Sequence, residues 1–81
     1  MAKQIVLAGF HAVNARVRLQ PSSIKVVYVD RDRRDKRMQE CRVRLEKAQV
    51  KVVFADAARL NGLAPDLPHQ GIVALADEIK N

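Results

Sequence analysis

Few side chains in this 81-residue chain could carry covalent or metal chemistry: Cys41, His11, His69 and the Ser22–Ser23 pair. Two histidines and one cysteine do not form a four-ligand zinc pattern by spacing, and carboxylates would have to complete any metal site. Ser22 and Ser23 have no histidine near them in sequence, and no activated-thiol signature surrounds Cys41. Gly9, Gly62 and Gly71 are too scattered for a dinucleotide or phosphate-loop fingerprint, which needs several glycines at one strand-to-helix turn. Neither a metal, nor a cofactor, nor a catalytic constellation is therefore expected of these residues. What remains is electrostatic recognition.

That chemistry is concentrated in residues 31–47, RDRRDKRMQECRVRLEK, which hold eight bases against four acids. On a helix, Met38, Cys41, Leu45 and Ala48 fall in one narrow sector, the spacing of a core-facing stripe. Arg33, Arg37 and Arg44 line one flank of the stripe, and Lys36, Glu40 and Lys47 point to solvent. Pairs at i,i+4, Glu40 with Arg44 and Arg42 with Glu46, are expected to neutralise part of the field, at only about 0.2–0.5 kcal/mol each. Asp32 and Asp35 stand where first-turn or N-cap carboxylates would meet free N–H groups. Cys41 is read as a small buried thiol. The net charge of +6 and a pI near 10.1 call for a polyanionic partner, nucleic acid or an anionic surface. Arg33, Arg34, Lys36, Arg37 and Arg44 are the first candidates for phosphate contacts, with Arg16 and Arg18 as a second patch.

The elements that position this helix follow from periodicity. Hydrophobic residues are 48% of the chain and aromatics 4%, so the core must be aliphatic, as in an α/β layer structure. Residues 5–8 form a short apolar run ending at Gly9, a strand entering a turn. Residues 11–19 suit a helix wedged against a sheet, with Ala12, Ala15 and Leu19 on one side and Val13 and Val17 on another. Pro21, Ser22 and Ser23 stop it in a loop. Residues 24–29 and 50–55, IKVVYV and VKVVFA, read as strands covered on both faces. The basic helix between them completes a right-handed βαβ unit. Asp56 caps a short helix over 57–60 that Asn61 and Gly62 end, and residues 72–76 form a fourth strand. The domain is expected to span residues 1–77, with 78–81 beginning an exit. No run approaches the ~20 apolar residues of a membrane span, and the first ten residues are too short in apolar content for a signal peptide. A reducing, cytoplasmic setting is expected, with no membrane partner.

Two short motifs carry further information: Gly9-Phe10-His11-Ala12-Val13 near the start and His69-Gln70-Gly71-Ile72 near the end. With IKVVYVD, Asp35-Lys36-Arg37 and KVVFAD between them, they resemble the N-terminal substrate-binding domain of SpoU/TrmH-type RNA ribose 2'-O-methyltransferases. The likeness runs to the bacterial, RlmB-like enzymes that methylate a guanosine of large-subunit (23S) ribosomal RNA, and it covers residues 4–77. It implies a small three-layer α/β/α domain, a four-stranded sheet with three helices, similar to kink-turn-binding ribosomal proteins. It further implies a separate catalytic domain that follows in sequence, binds S-adenosylmethionine and forms a homodimer; none of that domain's motifs occurs in this chain. Methyl transfer is not expected of these 81 residues alone.

Within that resemblance, His11 contacts RNA at a strand-to-helix turn or is satisfied by local backbone. His69 and Gln70 contact RNA or fix the loop entering the last strand. Phe10, Tyr28 and Phe54 are the only aromatics, and with Tyr28 and Phe54 inside strand runs, base stacking is expected to be minor. Two other functions stay open: a stand-alone kink-turn-like RNA-binding protein and a structural interaction domain whose basic face docks protein.

Overall fold

Runs rich in valine and isoleucine favour extended backbone, because side chains branched at Cβ crowd a helix but pack well on a pleated surface. The computed structural model describes residues 3–78, and in it four such runs pair into one sheet. The elements in chain order are β1 (Gln4–Ala8), α1 (Phe10–Leu19), a 3-10 turn (Pro21–Ser23), β2 (Ile24–Asp30), α2 (Lys36–Lys47), β3 (Val52–Ala55), α3 (Ala57–Leu63) and β4 (Ile72–Asp77). The strand order is β1-β4-β2-β3. β4 runs antiparallel to both neighbours, whereas β2 and β3 are adjacent and parallel, as a βαβ unit through α2 requires. The sheet is thus mixed, and the α/β expectation holds.

Alternation along each strand divides the core between the two faces. On one face Val27 and Val29 of β2 and Ile72, Ala74 and Ala76 of β4 meet Phe10 and Val13 of α1 and Met38, Cys41 and Leu45 of α2. On the other, Val73 and Ala55 meet Leu60 and Ala64 around α3. The stripe read from the sequence of α2 is buried as its spacing demanded, Met38, Cys41 and Leu45 each being no more than 2% exposed. Cys41 donates to Asn14 Oδ1 of α1 at 3.5 Å, and its burial raises the thiol pKa against the opposing pull of Arg44 and Arg37.

Several boundaries differ from expectation, each for a local reason. Helix α2 begins at Lys36, so Arg33 lies in the turn before it. Val50 is not strand but part of a Schellman cap: Gln49 takes φ 60°, its N–H bonds Glu46 O, and the Val50 N–H bonds Leu45 O at 2.9 Å. Helix α3 runs through Asn61 and Gly62 to Leu63, held at its start by Asp56 Oδ1 accepting from the Arg59 N–H at 2.8 Å. Helix α1 packs against the sheet as expected through Val13 and Val17, but Leu19 at its end is 75% exposed. The expected exit at 78–81 lies, apart from Glu78, outside the described residues, and the Glu78 N–H still bonds Lys3 O at 2.6 Å.

Candidate nucleic-acid interface

The two motifs at opposite ends of the sequence meet in space, and Arg33 is where they meet. Gly9, at φ 90°, turns the chain from β1 into α1, and its N–H bonds Ile72 O at 3.0 Å. The Gln70 side chain then accepts from the Phe10 N–H at 3.3 Å, so the first turn of α1 is capped by a residue sixty positions away. Arg33 Nη1 donates to the carbonyl of that same Gln70, and Arg33 Nε donates to Asp35 Oδ1 at 2.7 Å. The hydrogen bond from Arg33 is the main reason the Asp35 carboxyl is held below its ordinary range, and the same bond raises the guanidinium. Asp35 thus occupies the N-cap position of α2 without capping it, because its carboxylate faces Arg33.

His69 completes this clasp. Its Nδ1 accepts from the Gly71 N–H at 3.0 Å, which places the proton of the neutral ring on Nε2, 2.6 Å from Asn61 Oδ1 on α3. Gly71 has φ 86°, and a Cβ there would lie 3.2 Å from Arg33 Cδ and 3.3 Å from Asp30 Cβ. Phe10 is fully buried beneath two guanidiniums, Arg33 at 4.9 Å and Arg37 at 4.7 Å from the ring centroid. In this structure Arg33, His69 and Gln70 are engaged by the fold itself.

The remaining candidates divide in the same way. Arg16 is half-buried and donates to Asp77 O at 2.8 Å and to Ser23 Oγ at 3.3 Å, tying the end of α1 to the end of β4. Arg18 and Arg44 are exposed and face one another across a shallow groove between α1 and α2, floored by Asn14 and Val17. Arg34, Lys36 and Arg37 are exposed at the start of α2, and His11 is exposed on the first turn of α1. The expected pairs Glu40–Arg44 and Arg42–Glu46 do not close. Among the described residues the ion pairs are Arg33–Asp35 and Lys25–Asp77. Exposed i,i+4 pairs are worth little, and Arg42 instead lies 4.6 Å from the Phe54 ring centroid. The basic field of α2 is therefore less neutralised than its sequence suggested.

Two aromatic contacts have no signal in the sequence. Phe54 is 52% exposed on β3, an edge strand, and Arg59 of α3 lies 5.4 Å from the Tyr28 ring. Residence in a strand implied burial, but only strand order shows which strand has an open side. Among the described residues no three His, Cys, Asp or Glu side chains gather into a possible metal site, and no helix is long and apolar enough to cross a membrane.

A mixed four-stranded sheet that sets a net cationic layer on one face defines a small α/β recognition domain. Residues 6–81 match the family described as RNA 2'-O ribose methyltransferase substrate binding, and the chain belongs to that family. The 23S rRNA (guanosine-2'-O-)-methyltransferase RlmB of Bordetella pertussis is 54% identical over 78 residues, covering 96% of this chain and 32% of that protein. Its counterpart in Ralstonia nicotianae is 44% identical over 79 residues, covering 98% and 32%. That of Neisseria meningitidis serogroup B is 41% identical over 81 residues, covering 100% and 32%. The chain thus spans about a third of the length of these curated relatives.

Proposed function

We propose that this domain grips structured large-subunit ribosomal RNA for a methyltransferase domain of the same polypeptide, which methylates the ribose 2'-oxygen of a guanosine. The observation that carries the reading is the exposed basic set Arg18, Arg34, Lys36, Arg37 and Arg44 on the α1–α2 layer, in a chain of this family. A-form RNA hides its base edges in a deep major groove, so a rigid helix bearing guanidiniums suits its phosphates and 2'-hydroxyls. Arg34, Lys36 and Arg37 hold one phosphate run at the start of α2, and Arg18 and Arg44 hold a second between the helices. Arg16 and Arg33 act through the fold, fixing the ends of the two helices. His11 is exposed on the first turn of α1, next in sequence to the Phe10 that Arg37 covers, and His69 and Gln70 shape the loop entering β4.

S-adenosylmethionine, the methyl donor this reading implies for the complete enzyme, does not fit the residues described. The two positive-φ glycines, which could form a cradle, close on the chain's own Gln70, Arg33 and Asp30. On this reading methyl transfer and its cofactor belong to the catalytic domain of the complete enzyme, a homodimer, in the cytoplasm where ribosomal RNA is modified.

The test is a titration of fragments of 23S rRNA with this chain over a series of salt concentrations. Wild type should bind with log K falling linearly in log salt. Arg37→Glu with Arg44→Glu should weaken binding and flatten the slope by about 0.7–0.9 for each phosphate no longer neutralised. Equal affinity of wild type and double variant at low salt would overturn the reading.

A further inference from the structure

The groove between α2 and the free edge of β3 takes no part in gripping those phosphates. It has a volume of about 410 Å³ and is lined by Gln39, Arg42, Val43 and Glu46 from the helix and by Val50, Val52 and Phe54 from the strand side. Its mouth is apolar where a small domain would ordinarily be polar: Phe54 is 52% and Val43 49% exposed. Over the ring lies a planar guanidinium, Arg42, which is in no ion pair among the described residues.

We propose that this groove takes one unstacked RNA base, held between the Phe54 ring and the Arg42 guanidinium; this rests on the RNA-binding reading of the domain. A flat ring and a guanidinium are the two surfaces on which unpaired bases stack. Arg42 is exposed, so it can lift from the ring and close on the far side of the base. The helix wall supplies edge recognition. Glu46 accepts only, so it favours a base presenting N–H groups, and guanine offers an imino and an amino N–H side by side to the two carboxylate oxygens. The Gln39 amide both donates and accepts, and meets what remains of the edge. Charge selects RNA as the occupant. Lys51 lies between Val50 and Val52 in sequence, and the other exposed charged positions of α2 are four bases, Lys36, Arg37, Arg44 and Lys47, against one acid, Glu40. An entering backbone therefore meets cations. A second strand pairing with β3 is disfavoured, since that edge is four residues long with a lysine before it.

The test compares two RNAs of equal length, a hairpin with an unpaired guanosine-containing loop and a fully paired duplex, binding to this chain and to its Phe54→Leu and Arg42→Gln variants. Leucine keeps aliphatic cover at the strand edge while removing the stacking face. Wild type should prefer the loop RNA, and each variant should cut that preference about 5-fold or more, with duplex binding by Phe54→Leu unchanged. A photoreactive base in the loop should crosslink at Phe54. If wild type binds both RNAs equally, or the variants keep its preference, the groove proposal falls and the phosphate-binding reading stands. Binding to neither RNA overturns both. Sedimentation showing a dimer that Phe54→Leu dissolves assigns the groove to a second copy and overturns the proposal.

Discussion

Arg33 shows how a charged residue in a basic stretch can serve the fold before any ligand. It joins the turn before α2 to the loop before β4, and Gly71 leaves it room to do so. Gly71→Ala would place a methyl group against Arg33 and Asp30 and hold a non-glycine residue at φ 86°. It should destabilise the domain by about 1–3 kcal/mol, readable as a lower melting temperature. The salt slope of RNA binding should not change. The Arg33–Asp35 pair also sets a pH dependence. Because the Asp35 pKa is lowered in the folded state, the pair stabilises above the unfolded carboxylate value of ~3.9 and is lost as pH falls through the folded value. Thermal unfolding of Asp35→Ala and wild type should therefore differ at about pH 6 and converge toward about pH 2. The effect is small, since the pair is solvent-exposed.

At the scale of elements, the end of α2 carries a correctable cost. Gln49 adopts a left-handed conformation to let Val50 fold back on Leu45, a place where glycine is the usual residue. Gln49→Gly should stabilise the domain by about 0.5–1 kcal/mol and raise the thermal midpoint without altering RNA affinity. That cap also explains what the sequence could and could not reveal. The β2–α2–β3 unit was legible because two β-branched runs flank a segment whose Met38, Cys41 and Leu45 recur at helical spacing. The shortening of β3 was not, because Gln49 carries no glycine signal. The persistence of α3 through Gly62 was hidden for the opposite reason: a glycine there looks like a stop, yet nothing lies within 4 Å of its missing Cβ and the helix tolerates it. Of the candidate site, the cationic composition was readable and its division into structural and free arginines was not. Arg16 and Arg33 are set apart from Arg18 and Arg37 by partners that are 61 and 37 residues distant.

Across the whole molecule, stability is graded along the sheet. β4 is central, with Ile72, Val73, Ala74 and Ala76 fully buried, whereas β1 is an edge strand with Val6 38% exposed. Amide hydrogen exchange should therefore be slowest in β4 and β2 and markedly faster in β1. β1 and β4 run antiparallel, so Gln4 sits beside Asp77 and Lys3 bonds Glu78. A pull applied through residues 3 and 78 would load that ladder one rung at a time, as in a zipper, rather than sharing the force among all its rungs. The domain should give way at low tension from this corner first. A translocating or degrading machine drawing on the β1 end would peel that edge strand from β4 before it disturbed the layer that carries the arginines, whereas one drawing on the β4 end would pull on β2 and the core as well.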